Sequence, residues 1–160
     1  MTIFYLSGKA TLDGVTDVQP VNDPQDKFEY TFRIECTRCR NVHDKPVTIN
    51  TYEKHEIGGS RGEASFVFRC KECKSESSAN VAATKTTIAE SDQWARLLEI
   101  DARGLEVVEF IPEGKFQAVG AESSTKFNEV DLEEGEWYDY DEKQGAEVSI
   151  TEVEWKVERQ

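Results

Sequence analysis

Residues 32–39, FRIECTRC, decide the fold of this 160-residue chain. Phe32, Ile34 and Cys36 alternate with polar residues, which is the period of a strand with one buried face. The strand runs directly into a Cys-x-x-Cys turn. Residues 66–73, FVFRCKEC, repeat the arrangement, again with an aromatic residue four positions before the first cysteine. The sequence therefore predicts two strands that each end in a turn carrying two thiols.

The chain has four cysteines, and all of them lie in these two turns. A two-residue spacer lets a tight turn aim both sulfur atoms at one point, and two turns supply the tetrahedral thiolate set that zinc prefers. Four thiolates leave no coordination position open for water, so we expect a structural zinc rather than a catalytic one. We expect one zinc per chain, with the ligands Cys36, Cys39, Cys70 and Cys73.

Other uses of the thiols stay open. Four thiolates also suit iron or copper(I), and Cys-x-x-Cys pairs serve in thiol oxidoreductases, where the reactive pair lies at a helix start. An enzyme with a cysteine nucleophile is disfavoured because no cysteine is left over, and a hydrolytic triad has little support because the sequence has only two histidines. His43 and His55 lie between the cysteine pairs, and we expect surface or supporting roles for them.

Charge is unevenly distributed along the chain. The net charge of −13 argues against nucleic-acid binding, since phosphate contacts need clustered lysine and arginine. Residues 36–74 are the exception, with eight basic against five acidic side chains. Cations there would favour thiolates and offset the charge of about −2 on a four-thiolate zinc site. A local nucleic-acid patch in this segment is the alternative.

The sequence also restricts the compartment. Its first residues lack the basic cluster and long apolar run of a signal peptide, and no apolar stretch is long enough to cross a bilayer. We therefore expect no membrane association and a cytosolic monomer, with the nucleus as the alternative, in which reduced thiols bind metal.

Alternation with period two recurs and predicts an all-β, mostly antiparallel fold. Glycine-containing turns separate the alternating runs, and the linker between the cysteine pairs should hold a strand near 47–51, a hairpin turn at 58–62 and a strand from residue 64. For residues 90–98 we expect at most one helical turn. The polar residues 75–91 predict a loop or an edge strand.

A looser likeness joins residues 12–20, LDGVTDVQP, with residues 102–110, ARGLEVVEF. It predicts two related β halves, 1–85 and 86–160, that share one core, with a zinc-ribbon-like pair of knuckles in the first half. The chain length suits one domain that buries about 70% of its unfolded surface. We therefore treat residues 1–160 as a single zinc-binding β domain.

Residues 133–143, EEGEWYDYDEK, form an acidic aromatic stretch that lacks the spacing and glycine of a calcium loop. Trp137 and Tyr140 could anchor it on the sheet. The other interpretation is a docking surface for a protein, since aromatic residues ringed by charge are common at interfaces. The candidate partner-binding residues are Trp137, Tyr138, Asp139, Tyr140 and Asp141.

The chain resembles the eukaryotic CXXC-motif-containing zinc-binding protein family, formerly a conserved domain of unknown function. The resemblance covers nearly the whole length and includes the paired cysteine turns at their long spacing. Its other motifs are KATL at 9–12, GGSRGEAS at 58–65, RGLE at 103–106, GAES at 120–123 and WYDYDEK at 137–143. It implies a small, mostly β, intracellular protein with one zinc on the four cysteines and no established catalytic activity.

Together these features favour a non-catalytic binding or adaptor module, stabilised by zinc, whose partner is another protein. The rival is a metal-handling or thiol-redox protein that passes zinc or copper to a client. A small-molecule enzyme with a cleft between the two halves is a third hypothesis.

Overall fold

The computed structural model describes residues 2–57 and 62–160, and none of these residues is helical. The all-β prediction is confirmed. Residues 58–61 of the expected hairpin turn lie outside the described residues. The strands, numbered β1 to β14 in chain order, are Thr2–Asp13, Val15–Pro20, Tyr30–Cys36, Val47–Ile49, His55–Glu56, Glu63–Ala64, Phe66–Arg69, Glu76–Ala83, Ala95–Arg103, Leu105–Ile111, Phe116–Gly120, Lys126–Val130, Trp137–Asp141 and Ala146–Arg159.

Six strands form one large antiparallel sheet in the order β13-β14-β1-β9-β8-β7. Two sheets of three strands have the orders β10-β3-β4 and β12-β11-β2, and β5 pairs with β6. Gly14 and Gly104 link the large sheet to the smaller ones, because β1 continues into β2 and β9 into β10 at these residues. Their φ angles are 77° and 80°, a conformation that favours glycine.

One hydrophobic cluster contains side chains from all three larger sheets. At its centre, six aromatic rings form a closed series of contacts with centroid distances from 4.7 to 6.4 Å; in order of contact they are Phe28, Tyr30, Phe32, Phe110, Trp155 and Phe116. Three of these rings lie before residue 85 and three lie after it. The two parts of the chain therefore share one core, as expected.

The strand order has an internal two-fold regularity. The strands β1, β2, β3, β4, β7 and β8 correspond in this order to β9, β10, β11, β12, β13 and β14. When each strand is exchanged with its counterpart, the strand order of the large sheet stays the same, and the β10-β3-β4 sheet becomes the β12-β11-β2 sheet. Residues 12–20 and 102–110, which are alike in sequence, take matching positions at the two glycine bends. Two related halves would produce this arrangement, and their division into 1–85 and 86–160 stays a prediction.

The strands, turn and loop predicted for residues 47–98 are only partly confirmed. The strands near 47–51 and from residue 64 are confirmed as β4 and as β6 with β7. No helical turn forms at 90–98, where a turn leads into β9. The loop or edge strand expected at 75–91 is right only for residues 84–91, which lie outside the named strands. Residues 76–83 form β8, which lies between β7 and β9 inside the large sheet. The described part of the chain contains no helical segment with the length and hydropathy of a transmembrane span.

Candidate metal centre

Two similar turns carry the cysteines. Cys36 is the last residue of β3 and Cys70 directly follows β7, so each turn ends a strand as predicted. In both turns a backbone N–H donates to the carbonyl of the first cysteine: Arg40 to Cys36 and Lys74 to Cys70, each at 2.9 Å. Arg40 and Lys74 have positive φ angles of 61° and 64°, which close the turns.

The two turns bring the four sulfur atoms together. All four Sγ atoms lie within 4.8 Å of one another. Cys36 Sγ is 3.7 Å from Cys73 Sγ, and Cys39 Sγ is 3.6 Å from Cys70 Sγ. Zinc–sulfur bonds of about 2.3 Å place the corners of a tetrahedron about 3.8 Å apart. The thiols therefore fit one zinc ion.

Coordination by four thiolates would cross-link two sheets. The first turn belongs to β3 in the β10-β3-β4 sheet, and the second follows β7 at an edge of the large sheet. Cys36 and Cys70 are buried, whereas Cys39 and Cys73 lie at the surface. A bound zinc supplies a structural cross-link here and has no position left for a water molecule.

The thiols differ in their proton affinity. The Ser75 hydroxyl, 3.3 Å from Cys73 Sγ, is the main cause that lowers the pKa of Cys73 to about 6. The backbone N–H of Asn41 acts to lower the pKa of Cys39, but desolvation and contacts with the other thiols raise it to about 12. A metal ion that binds all four sulfurs must therefore displace protons.

Several cations of the basic segment bind carboxylates. Arg40 Nη1 lies 3.1 Å from a Glu35 oxygen and 3.5 Å from a Glu106 oxygen. Lys71 Nζ lies 3.3 Å from Asp44. These ion pairs fasten the cysteine turns to neighbouring segments, and they reduce the positive charge that the sequence alone assigned to the surroundings of the thiolates.

The histidines stand outside the thiol cluster. His43 Nδ1 donates to the Lys45 carbonyl at 2.6 Å, and the His43 ring packs edge-on against Phe68 at 4.8 Å. His55 is exposed in β5. In residues 2–57 and 62–160, the four cysteines form the one group of three or more metal-ligating side chains that comes together in this way.

The candidate partner-binding residues form β13, an edge strand of the large sheet, and divide between its faces. Trp137 packs edge-on against Phe127 at 5.3 Å, and it lines a groove of about 900 Å³ that Asp139 also lines. Tyr138 and Tyr140 are 64% and 51% exposed. The anchoring role considered for Tyr140 is therefore not seen, whereas Trp137 does contact another strand.

Asp141 differs from its neighbours because it is only 1% exposed. Its carboxylate accepts hydrogen bonds from the hydroxyls of Ser123 and Thr125 and from the N–H groups of Lys143 and Gln144. The Ser123 hydroxyl is the main cause that holds the pKa of Asp141 below its usual range. Ser123 and Thr125 were not predicted from the sequence, since no spacing rule joins them to an aspartate 16 to 18 positions away.

Known proteins resemble this chain over almost its full length. The family described as CXXC motif containing zinc binding protein, eukaryotic, matches residues 5–158. UPF0587 protein C2D10.03c of Schizosaccharomyces pombe is 40% identical over 156 residues, or 98% of each chain. The CXXC motif containing zinc binding protein of Homo sapiens is 34% identical over 148 residues, or 91% of each chain.

A solved structure has the same fold. The crystal structure of C1orf123 superposes with a TM-score of 0.88 and 32% sequence identity, covering 99% of both chains. Sequence, fold and thiol geometry therefore agree: this chain is a zinc-binding protein and belongs to the eukaryotic CXXC motif containing zinc binding protein family.

Proposed function

We propose that this chain is a non-catalytic binding module in which zinc holds the fold and the edge strand β13 binds another protein. The observation that carries the proposal is the pair of exposed tyrosines, Tyr138 and Tyr140, on that strand. We propose that it acts as a monomer in the cytosol or the nucleus, where thiols stay reduced.

The backbone of β13 supports this role. β13 pairs with β14 along one edge, and in the described part of the chain no strand pairs with its other edge. An edge of this kind presents unpaired N–H and C=O groups, which an extended segment of another protein can pair with as an added strand.

The side chains of β13 suggest the chemistry of the partner. Residues two positions apart in a strand share a face, so Tyr138 and Tyr140 lie side by side. They border a hollow of about 600 Å³ that Asp13, Asp139 and Glu147 also line. Tyrosine gives a large contact area with few rotatable bonds. A segment that offers apolar and basic side chains would match this surface.

The zinc site supports the non-catalytic part of the proposal. All four cysteines lie in one cluster, and four thiolates fill the tetrahedral coordination of zinc. The cluster therefore offers a substrate neither an open metal position nor a spare thiol while the metal is bound.

The proposal predicts that Tyr138→Ala combined with Tyr140→Ala reduces partner binding without loss of fold. Exposed substitutions change the free energy of unfolding by about 0.5 kcal/mol or less, whereas two central interface tyrosines should together weaken binding at least about tenfold. The measurement is quantitative mass spectrometry of proteins co-purified with the tagged variant and with wild type. Tyr52→Ala, at a tyrosine that is 42% exposed elsewhere, is the matched control. Equal recovery of every partner by the double variant and wild type would contradict the proposal.

Metal handling is the second candidate, favoured by the surface position of Cys39 and Cys73. A protein that passes its metal to a client should release zinc to a strong chelator within seconds and expose alkylatable thiols. We expect release over hours and protection of all four thiols, because two ligands are buried and a closed site must partly open before the metal leaves. Rapid release would favour the second candidate.

A further inference from the structure

The second half of the chain contains two turns that have the same backbone hydrogen bond and the same positive φ angle as the cysteine turns. Ser124 N–H donates to the Gly120 carbonyl at 3.0 Å, and Gly145 N–H donates to the Asp141 carbonyl at 2.7 Å. Ser124 and Gly145 have positive φ angles of 61° and 72°. These bonds join the first and fifth residues of each turn, as they do in both cysteine turns.

The surroundings of the turns match as well. Thr37 N–H donates to the carbonyl of Gly104, at the bend between β9 and β10, at 3.1 Å. Ala121 N–H donates to the carbonyl of Gly14, at the bend between β1 and β2, at 2.9 Å. β3 corresponds to β11 in the two-fold strand order, and the bend between β9 and β10 corresponds to the bend between β1 and β2. The hydrogen bond of Thr37 therefore corresponds to that of Ala121. Residues 120, 123, 141 and 144 therefore correspond to the cysteines at 36, 39, 70 and 73.

Side chains at the corresponding positions converge in space. A Cβ atom added to Gly120 would lie against Ser123 Oγ and 2.6 Å from Asp141 Oδ2. A side chain at position 120 would therefore point at the side chains of Ser123 and Asp141. The backbone N–H of Gln144 donates to Asp141 Oδ1 at 3.2 Å. Three side-chain positions meet at one point, as the cysteines do in the first half.

We infer that these turns form a metal-free counterpart of the zinc centre, in which the Asp141 carboxylate and the hydroxyls of Ser123 and Thr125 supply the cross-link that zinc supplies in the first half. The carboxylate accepts from two hydroxyls of the turn between β11 and β12 and from two N–H groups of its own turn. It therefore ties that turn to the hairpin of β13 and β14. Positions 120, 123 and 141 converge, and position 144 joins them by its correspondence with Cys73, so the four positions constitute a latent metal site without thiolates.

The test is a chain with Gly120→Cys, Ser123→Cys, Asp141→Cys and Gln144→Cys, purified with its native cysteines intact. Elemental analysis should rise from one zinc per chain to two. The same four substitutions in a Cys70→Ser background should retain one zinc, which assigns the new ion to the second half. A variant with the β-sheet circular dichroism of wild type and still only one zinc would overturn the inference.

A second measurement applies if the four-cysteine chain does not fold. Asp141→Ala should lower the thermal midpoint by at least about 5 °C and leave zinc at one per chain. Ser123→Ala should add little to Asp141→Ala, because the two groups act as one cross-link and their effects are then non-additive. An unchanged midpoint, or fully additive losses, would overturn the inference equally.

Discussion

Cys70→Ser should strip this protein of zinc and destabilise it by about 4 kcal/mol or more, because binding of a structural metal is part of the free energy of folding. Cys70 is buried and follows β7 at the edge of the large sheet. Its loss would leave three thiolates, open the coordination of the ion and release the link between β7 and β3. Thermal unfolding and elemental analysis of the purified variant measure both effects.

Chelation provides the control for Cys70→Ser. Excess EDTA should lower the thermal midpoint of wild type towards that of the variant, and should leave the midpoint of the variant itself unchanged. A variant that keeps one zinc per chain, or that unfolds at the temperature of wild type, would show that the four-thiolate site does not stabilise the fold.

Phe116→Ala should destabilise the protein by about 3–5 kcal/mol although it lies in the half without cysteines. Phe116 is fully buried and contacts Phe28 at 5.2 Å and Trp155 at 5.5 Å. Removing its ring leaves a cavity in the core that the two halves share. Since that core also contains Tyr30 and Phe32 of β3, the strand that carries Cys36, zinc release should shift to a lower temperature together with unfolding.

Two probes in one thermal ramp test this coupling: tryptophan fluorescence for the core and a zinc-sensitive dye for the metal site. Both should move down together by roughly 10 °C, as one cooperative transition. Tyr138→Ala removes a ring from the surface and is the control, with an expected change of about 0.5 kcal/mol or less. Zinc release that stays at the temperature of wild type while fluorescence shifts would mean that the halves unfold independently.

Sequence alone located the zinc centre because its signal is local. Two cysteines separated by two residues at the end of an alternating run already specify a turn, a direction and a ligand type. The chain has four cysteines, two in the turn at residues 36–39 and two in the turn at residues 70–73. A site with four thiolates therefore requires both turns. The strands β3 and β7, which lead into these turns, were predicted for the same local reason.

Interior strand β8 shows where local signals fail. Ser77, Ser78 and Ala79 are buried, yet such small side chains give neither strong hydrophobic alternation nor high strand propensity. Tertiary packing explains them: a Cβ atom added at Gly104 would lie 3.0 Å from Ser77 Cβ, so the neighbouring bend leaves little room for larger residues. For this reason the polar residues of β8 were predicted to form a loop or an edge strand.

Asp141 shows the same limit at a site. In sequence it is one of several acids in residues 133–143, and nothing there distinguishes the buried carboxylate from the solvated ones. Its hydroxyl partners Ser123 and Thr125 are brought to it by the packing of two turns from different strand pairs. The sequence likeness between residues 12–20 and 102–110 was the one signal of two related halves. It lies at the glycine bends of residues 14 and 104 and not at the turns that hold Ser123 and Asp141.

Zinc K-edge X-ray absorption of the purified protein, combined with its metal content, tests the central claim most directly. One zinc per chain surrounded by four sulfur atoms at about 2.3 Å is the expected result. A content far below one zinc per chain, or a first coordination shell that includes nitrogen or oxygen atoms, would contradict a closed site made from Cys36, Cys39, Cys70 and Cys73.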